Sequence, residues 1–218
     1  GVDSMQLILC GGGFGEKVSK SYEKYAEIID HSKPVLYIPL AWKNEDYESC
    51  LNWLKGELLP YGIDKFVMIT NISQFDNVDL GEYNSLFIGG GNTYKLLKYL
   101  KESKGYSKIK EYIENGGIVF GGSAGAIIFG KDIQTCNICS NDENLWPDLD
   151  TSGFDVMNGI SLSCHYASKG KKEDHDISTE EYTKRGYKIL NLTEEQSAFV
   201  TDEEVKTIDN NKESIKEK

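Results

Sequence analysis

Several things are scarce in this 218-residue sequence, and each scarcity closes a class of function. Basic residues are outnumbered, 24 against 35 acidic ones, for a formal net charge of −11. Nucleic-acid backbones and anionic membrane surfaces both require a basic face, so neither is expected as a partner. Apolar runs are short, and none approaches the roughly 20 residues that a membrane-spanning helix requires. No basic-then-apolar opening marks a signal peptide, and a cytoplasmic location is expected. Cysteine comes to five, an odd number that does not read as a disulfide framework. With only three histidines, His31, His165 and His175, any chemistry that needs an imidazole has few places to be.

What is present is an ordinary globular composition, 39% hydrophobic and 27% charged, in a chain long enough for one large domain. The opening "GVDSM" reads as an expression scar over residues 1–4 ahead of Met5. Residues 5–210 are expected to form one α/β domain, and residues 211–218 a charged tail. Apolar runs at 5–10, 34–40, 65–70, 84–90 and 117–122 predict buried strands. Between them, Val18, Tyr22, Tyr25 and Ile29 share one helical face, as do Tyr47, Cys50, Leu51, Leu54 and Leu58. Leu96, Leu97 and Leu100 mark a third helix, and Tyr106, Ile109 and Ile113 a fourth. Continuous apolar strands alternating with helices predict a mostly parallel central sheet with helices on both faces, a three-layer α/β sandwich. Beyond residue 130 the pattern loosens. Residues 136–158 read as loop, "GISLSCHY" as a strand, 178–186 as a helix, and "YKILNL", "SAFVT" and "VKTI" as short late strands.

The densest chemical signal is "GGIVFGGSAGAII", residues 116–128. Within it Gly121-Gly122-Ser123-Ala124-Gly125 matches G-x-S-x-G after a predicted strand and before a predicted helix, the setting of a nucleophile elbow. A sharp turn of this kind pushes the serine hydroxyl out of the sheet, and small neighbours let the chain pass beside it. A plain strand-to-helix turn capped by serine fits the pattern too, but does not require Ala124, Gly125 and Ala126 in succession. A second glycine cluster, Gly89-Gly90-Gly91-Asn92-Thr93, ends the preceding strand. Parallel strands deliver their C-terminal ends to one edge, where an N–H from this loop would join that of Ala124 as an oxyanion hole.

A serine nucleophile needs a base. His31 reads as a surface residue at a helix end and His175 as part of the solvated loop "KKEDHD", which leaves His165 at the end of "ISLSCH". Asp132, Asp142, Glu143, Asp148, Asp150 and Asp155 all lie between Ser123 and His165, and spacing does not choose among them as the orienting acid.

With "GGGNTYKLL" at 89–97, "GGSAGA" at 121–126 and "GFDVMNGISLSCHY" at 153–166, the chain resembles the peptidase E and cyanophycinase group of serine peptidases, related in fold to class I glutamine amidotransferases. The resemblance runs from about residue 5 to 200. It implies Ser123 as nucleophile, His165 as general base, Gly91 and Ala124 as oxyanion donors, and Gly90 and Asn92 against the substrate. It places the acid on Asp142 of "Asn141-Asp142" and implies a small peptide or isopeptide substrate, with no metal and no organic cofactor. Two departures stand out: the stretch from Ser123 to Asp142 is a few residues longer than in peptidase E, and the arginine associated there with an N-terminal aspartate has no counterpart before Arg185. Strict aspartyl-dipeptidase specificity is therefore not implied.

Other readings compete. An α/β-hydrolase esterase shares the elbow, yet only 95 residues follow Ser123 and His165 comes 42 residues after it, which leaves little room for that fold's remaining strands. A non-catalytic member that binds a peptide is the second alternative. "Cys136-Asn-Ile-Cys139" lacks the second ligand pair of a structural zinc site. "CGGGFGE" fails as a dinucleotide fingerprint because the third glycine is missing from either register.

Overall fold

The computed structural model describes residues 4–211; most of the expected scar and of the charged tail lies outside the described residues. Its strands are β1 (Gln6–Cys10), β2 (Val35–Ile38), β3 (Phe66–Met68), β4 (Ser85–Ile88), β5 (Ile118–Gly122), β6 (Ile160–Ser163), β7 (Lys188–Asn191), β8 (Gln196–Thr201) and β9 (Val205–Asp209). The α-helices are α1 (Ser19–Ile28), α2 (Tyr47–Leu58), α3 (Thr93–Lys101), α4 (Gly105–Glu114), α5 (Ala124–Ile127), α6 (Cys136–Cys139) and α7 (Lys172–Lys184).

Seven strands form one sheet in the order β3-β2-β4-β5-β1-β8-β9, with β6 and β7 paired separately. From β3 through β1 every pairing is parallel, whereas β8 runs antiparallel to β1 and β9 antiparallel to β8. Alternation along the strands divides the core in two. Leu7 and Leu9 of β1, with Leu36 and Ile38 of β2, meet α3, α4 and α5 through Leu96, Leu97, Leu100, Ile109, Ile113, Ala126 and Ile127. Ile8 and Cys10, with Tyr37, Phe87 and Phe120, face Tyr22 and Tyr25 of α1 and Leu54 and Leu58 of α2. The helical stripes read from the sequence are therefore the faces that close the sandwich.

Two expectations for the later chain are corrected. The helix predicted at 178–186 begins at Lys172 and takes in His175, which is buried rather than solvated and accepts the Ala167 N–H through Nδ1. Cys136–Cys139, expected within a loop, makes one short helical turn.

Candidate active site

The parallel strands all end at one edge, and there β5 turns directly into α5. Ser123 sits in that turn with φ 53° and ψ −112°, a backbone conformation that L-residues adopt only when neighbours enforce it. Its N–H donates to the Cys10 carbonyl at the end of β1 (3.1 Å). The small residues after it are explained by contact: a Cβ on Gly125 would lie 2.0 Å from the Ile88 carbonyl oxygen at the end of β4.

Three elements bring their side chains together at this point. Ser123 Oγ lies 2.9 Å from Nε2 of His165, which follows β6. The other ring nitrogen, Nδ1, lies 2.7 Å from Oε2 of Glu194, two residues ahead of β8. A carboxylate only accepts, so Nδ1 carries the proton and Nε2 is left with a lone pair toward the serine hydroxyl. His165 and Glu194 keep 25% and 34% of their side-chain surface exposed, so the imidazole is held yet reachable from solvent.

The end of β1 holds this arrangement in place. Gly11 accepts the His165 N–H through its carbonyl (2.8 Å), and the Gly13 N–H donates to the Glu194 carbonyl (2.9 Å). Gly12, with φ +116°, lies flat beneath the imidazole, where a Cβ would come within 2.2 Å of Cε1. The run "CGGGFGE" thus seats a histidine, and His165 itself adopts a positive φ of 60°.

The expected acid lies elsewhere. Asp142 Oδ2 accepts from the N–H (2.9 Å) and hydroxyl (2.7 Å) of Thr93, at the first turn of α3. A helix N-terminus presents unpaired N–H groups and partial positive charge, which draws the carboxylate there. Glu194, which no local motif flags, occupies the place beside Nδ1. Asn92, expected against a substrate, caps α3 through Oδ1 to the Lys95 N–H (2.9 Å) and donates through Nδ2 to the Glu143 carbonyl (2.8 Å). Gly90 does adjoin Ser123, with a Cβ there falling 3.2 Å from Ser123 Cβ. Gly91 follows it in the same loop, and Ala124 opens α5. Cys136 and Cys139 do not join a ligand set; Cys139 Sγ lies 3.1 Å from Ser163 Oγ. Among the described residues no group of three or more His, Cys, Asp or Glu could hold a metal ion.

Two cavities flank His165. One of about 520 Å³ opens beside Ser123 and runs under the rings of Tyr22, Tyr37, Phe87 and Phe120. The other, of about 550 Å³, lies on the far side of the imidazole with Glu194, Lys169, Lys171, Asp174 and His175 in its walls.

Comparison with known proteins gives this arrangement a context. The sequence model of peptidase family S51 matches residues 7–208. Peptidase E of Shigella flexneri serotype 5b is 24% identical over 160 residues; the alignment spans 72% of this chain and 65% of that protein, just under two thirds of its length. Peptidase E of Escherichia coli O1:K1 / APEC aligns with the same identity and coverage. Among solved structures, a candidate peptidase E from Listeria monocytogenes EGD-e superposes with a TM-score of 0.73 at 22% identity, covering 94% of this chain and 98% of that one. A peptidase from an acI-B1 actinobacterium gives 0.66 at 16% identity, covering 95% and 89%. At these identities the two structures speak to the fold.

Proposed function

The chain belongs to peptidase family S51, and from that premise we propose that it hydrolyses a short peptide or isopeptide bond through an acyl-enzyme on Ser123. The observation that carries this reading is the continuous line Ser123 Oγ, His165 Nε2, His165 Nδ1, Glu194 Oε2, closed by contacts of 2.9 and 2.7 Å.

In this mechanism His165 withdraws the hydroxyl proton as Oγ attacks the scissile carbonyl. Glu194 fixes the tautomer and stabilises the imidazolium that forms. The N–H groups of Ala124, at the start of α5, and of Gly91, beside Gly90, receive the oxyanion; one such donor is worth about 10²–10³-fold in rate. His165 then protonates the leaving amine, and water resolves the acyl-enzyme by the reverse proton path. Glu194 takes the role first expected of Asp142, because its contact is with the imidazole and that of Asp142 is with a helix end.

Fluorophosphonate labelling of the purified protein, with the adduct located by mass spectrometry, tests the nucleophile. The expected result is a single adduct at Ser123 that is absent in His165→Ala, together with release of amino acids from a short-peptide mixture that Ser123→Ala lowers by roughly 10⁶-fold. Ester hydrolysis with no peptide cleavage would favour an esterase, and folded protein inert in both assays would favour a peptide-binding member.

A further inference from the structure

The cavity beside Ser123 has walls unlike those of the cavity across His165. Its floor is built from core rings: Phe87 and Phe120 stack at 4.8 Å with an interplanar angle of 6°, and Tyr22 and Tyr37 pack against them. Its rim carries Phe14, Trp42 and Trp53, which are 63%, 38% and 43% exposed. Large apolar side chains left at the mouth of a concavity mark a place where something apolar is received.

Among the described residues no Lys, Arg, Asp or Glu lines this cavity. The phenols and the thiol in its walls carry no charge near pH 7. Burial pushes the Tyr37 phenol up, and burial followed by the Glu57 carboxylate does the same for Tyr22. The Cys50 thiol is raised as well, again chiefly by burial. The nearest buried cation, Lys95, donates to the Trp42 carbonyl and the Tyr47 hydroxyl. A carboxylate drawn in would lose its hydration without meeting a counter-charge, which is strongly unfavourable. The cavity across His165, by contrast, carries charges of both signs, Lys169 and Lys171 with Asp174 and Glu194.

We propose that the substrate is a peptide with a large aromatic or aliphatic residue flanking the scissile bond, and that this side chain occupies the aromatic cavity beside Ser123. The volume of about 520 Å³ accommodates such a side chain with part of its backbone. This assignment rests on the serine-peptidase reading for its scissile bond, but not for its binding surface.

The test uses two preparations of the full chain and a panel of di- and tripeptides in which each position is in turn Phe, Leu, Ala, Asp or Lys. Wild-type protein is assayed for kcat/KM, and Ser123→Ala for affinity by titration calorimetry. Phe and Leu at one flanking position should exceed Ala by about tenfold or more, with Asp the poorest, in both measurements. Trp53→Arg, on the exposed rim, should narrow the gap between Phe and Asp. Cleavage or binding in which Asp equals or exceeds Phe would overturn the proposal while leaving the hydrolase intact. Binding of Phe peptides by Ser123→Ala with no turnover by wild type would retain the cavity assignment and remove the hydrolase.

Discussion

Asp142 and Glu194 are both carboxylates in polar loops downstream of Ser123, and both meet a partner at hydrogen-bond distance. Asp142 turns to the N–H and hydroxyl of Thr93 at the first turn of α3; Glu194 turns to the imidazole of His165. The difference comes from strand direction. Parallel strands bring their ends to the reactive edge, and β8, antiparallel to β1, brings its beginning. Glu194, two positions ahead of β8, therefore lies at the end of β1, where the Gly11 carbonyl also holds His165, two positions past β6 of the separate two-stranded sheet. In the proposed mechanism the carboxylate beside the imidazole is reached by following the direction of the chain through the sheet, and Asp142, nearer to Ser123 in sequence, meets a helix end instead.

Three substitutions sharpen or break that comparison. Glu194→Gln keeps the shape but lets the amide stabilise the wrong tautomer, so turnover should fall by about 10⁴-fold with the fold unchanged by circular dichroism. Retention of near-full activity would end the distinction between the two carboxylates. Gly12→Ala leaves Glu194 in place but drives a methyl group into the imidazole at a φ of +116°. A displacement of about 1 Å at a reacting group costs on the order of 10² in rate, and kcat/KM on a cleaved peptide should register it. Asp142→Asn should be nearly silent in turnover and should instead lower stability by about 1 kcal/mol, the usual worth of a helix-end contact, measured by urea unfolding. If Asp142→Asn instead slowed turnover by about a thousandfold or more, the acid would return to its loop.

The pairing of Ser123 with His165 was legible because its signals are local. The glycines around Ser123 leave a periodic strand on one side and a helix on the other, and with three histidines the choice of base was short. The parallel core was legible for the same reason, as β1, β2, β4 and β5 are mostly buried apolar runs, whereas β3, expected buried, lies at the sheet edge with Val67 41% exposed. Glu194 was not, since its place depends on pairing between β8 and β1, strands separated by most of the chain. The start of α7 was missed because that helix buries little: of Lys172–Lys184 only His175 is fully enclosed, and no apolar period survives to be read. "CGGGFGE" reads as a broken dinucleotide fingerprint, and the group it meets in the fold, the His165 ring, lies more than 150 residues away and leaves no trace nearby.

Ser123 and His165 share one property that neither glycine motif announces: both hold a positive φ, 53° and 60°. Such conformations cost of order 1–3 kcal/mol each and last only while surrounding contacts enforce them. The enforcing contacts include the Cys10 carbonyl on the Ser123 N–H and the Gly11 carbonyl on the His165 N–H, with the side-chain line to Glu194. In urea this loop edge should release before the buried strands beneath it. Probe labelling of Ser123 should accordingly disappear at a lower urea concentration than the far-ultraviolet signal of the sheet. Coincidence of the two transitions would mean instead that the edge and the sheet melt as one unit.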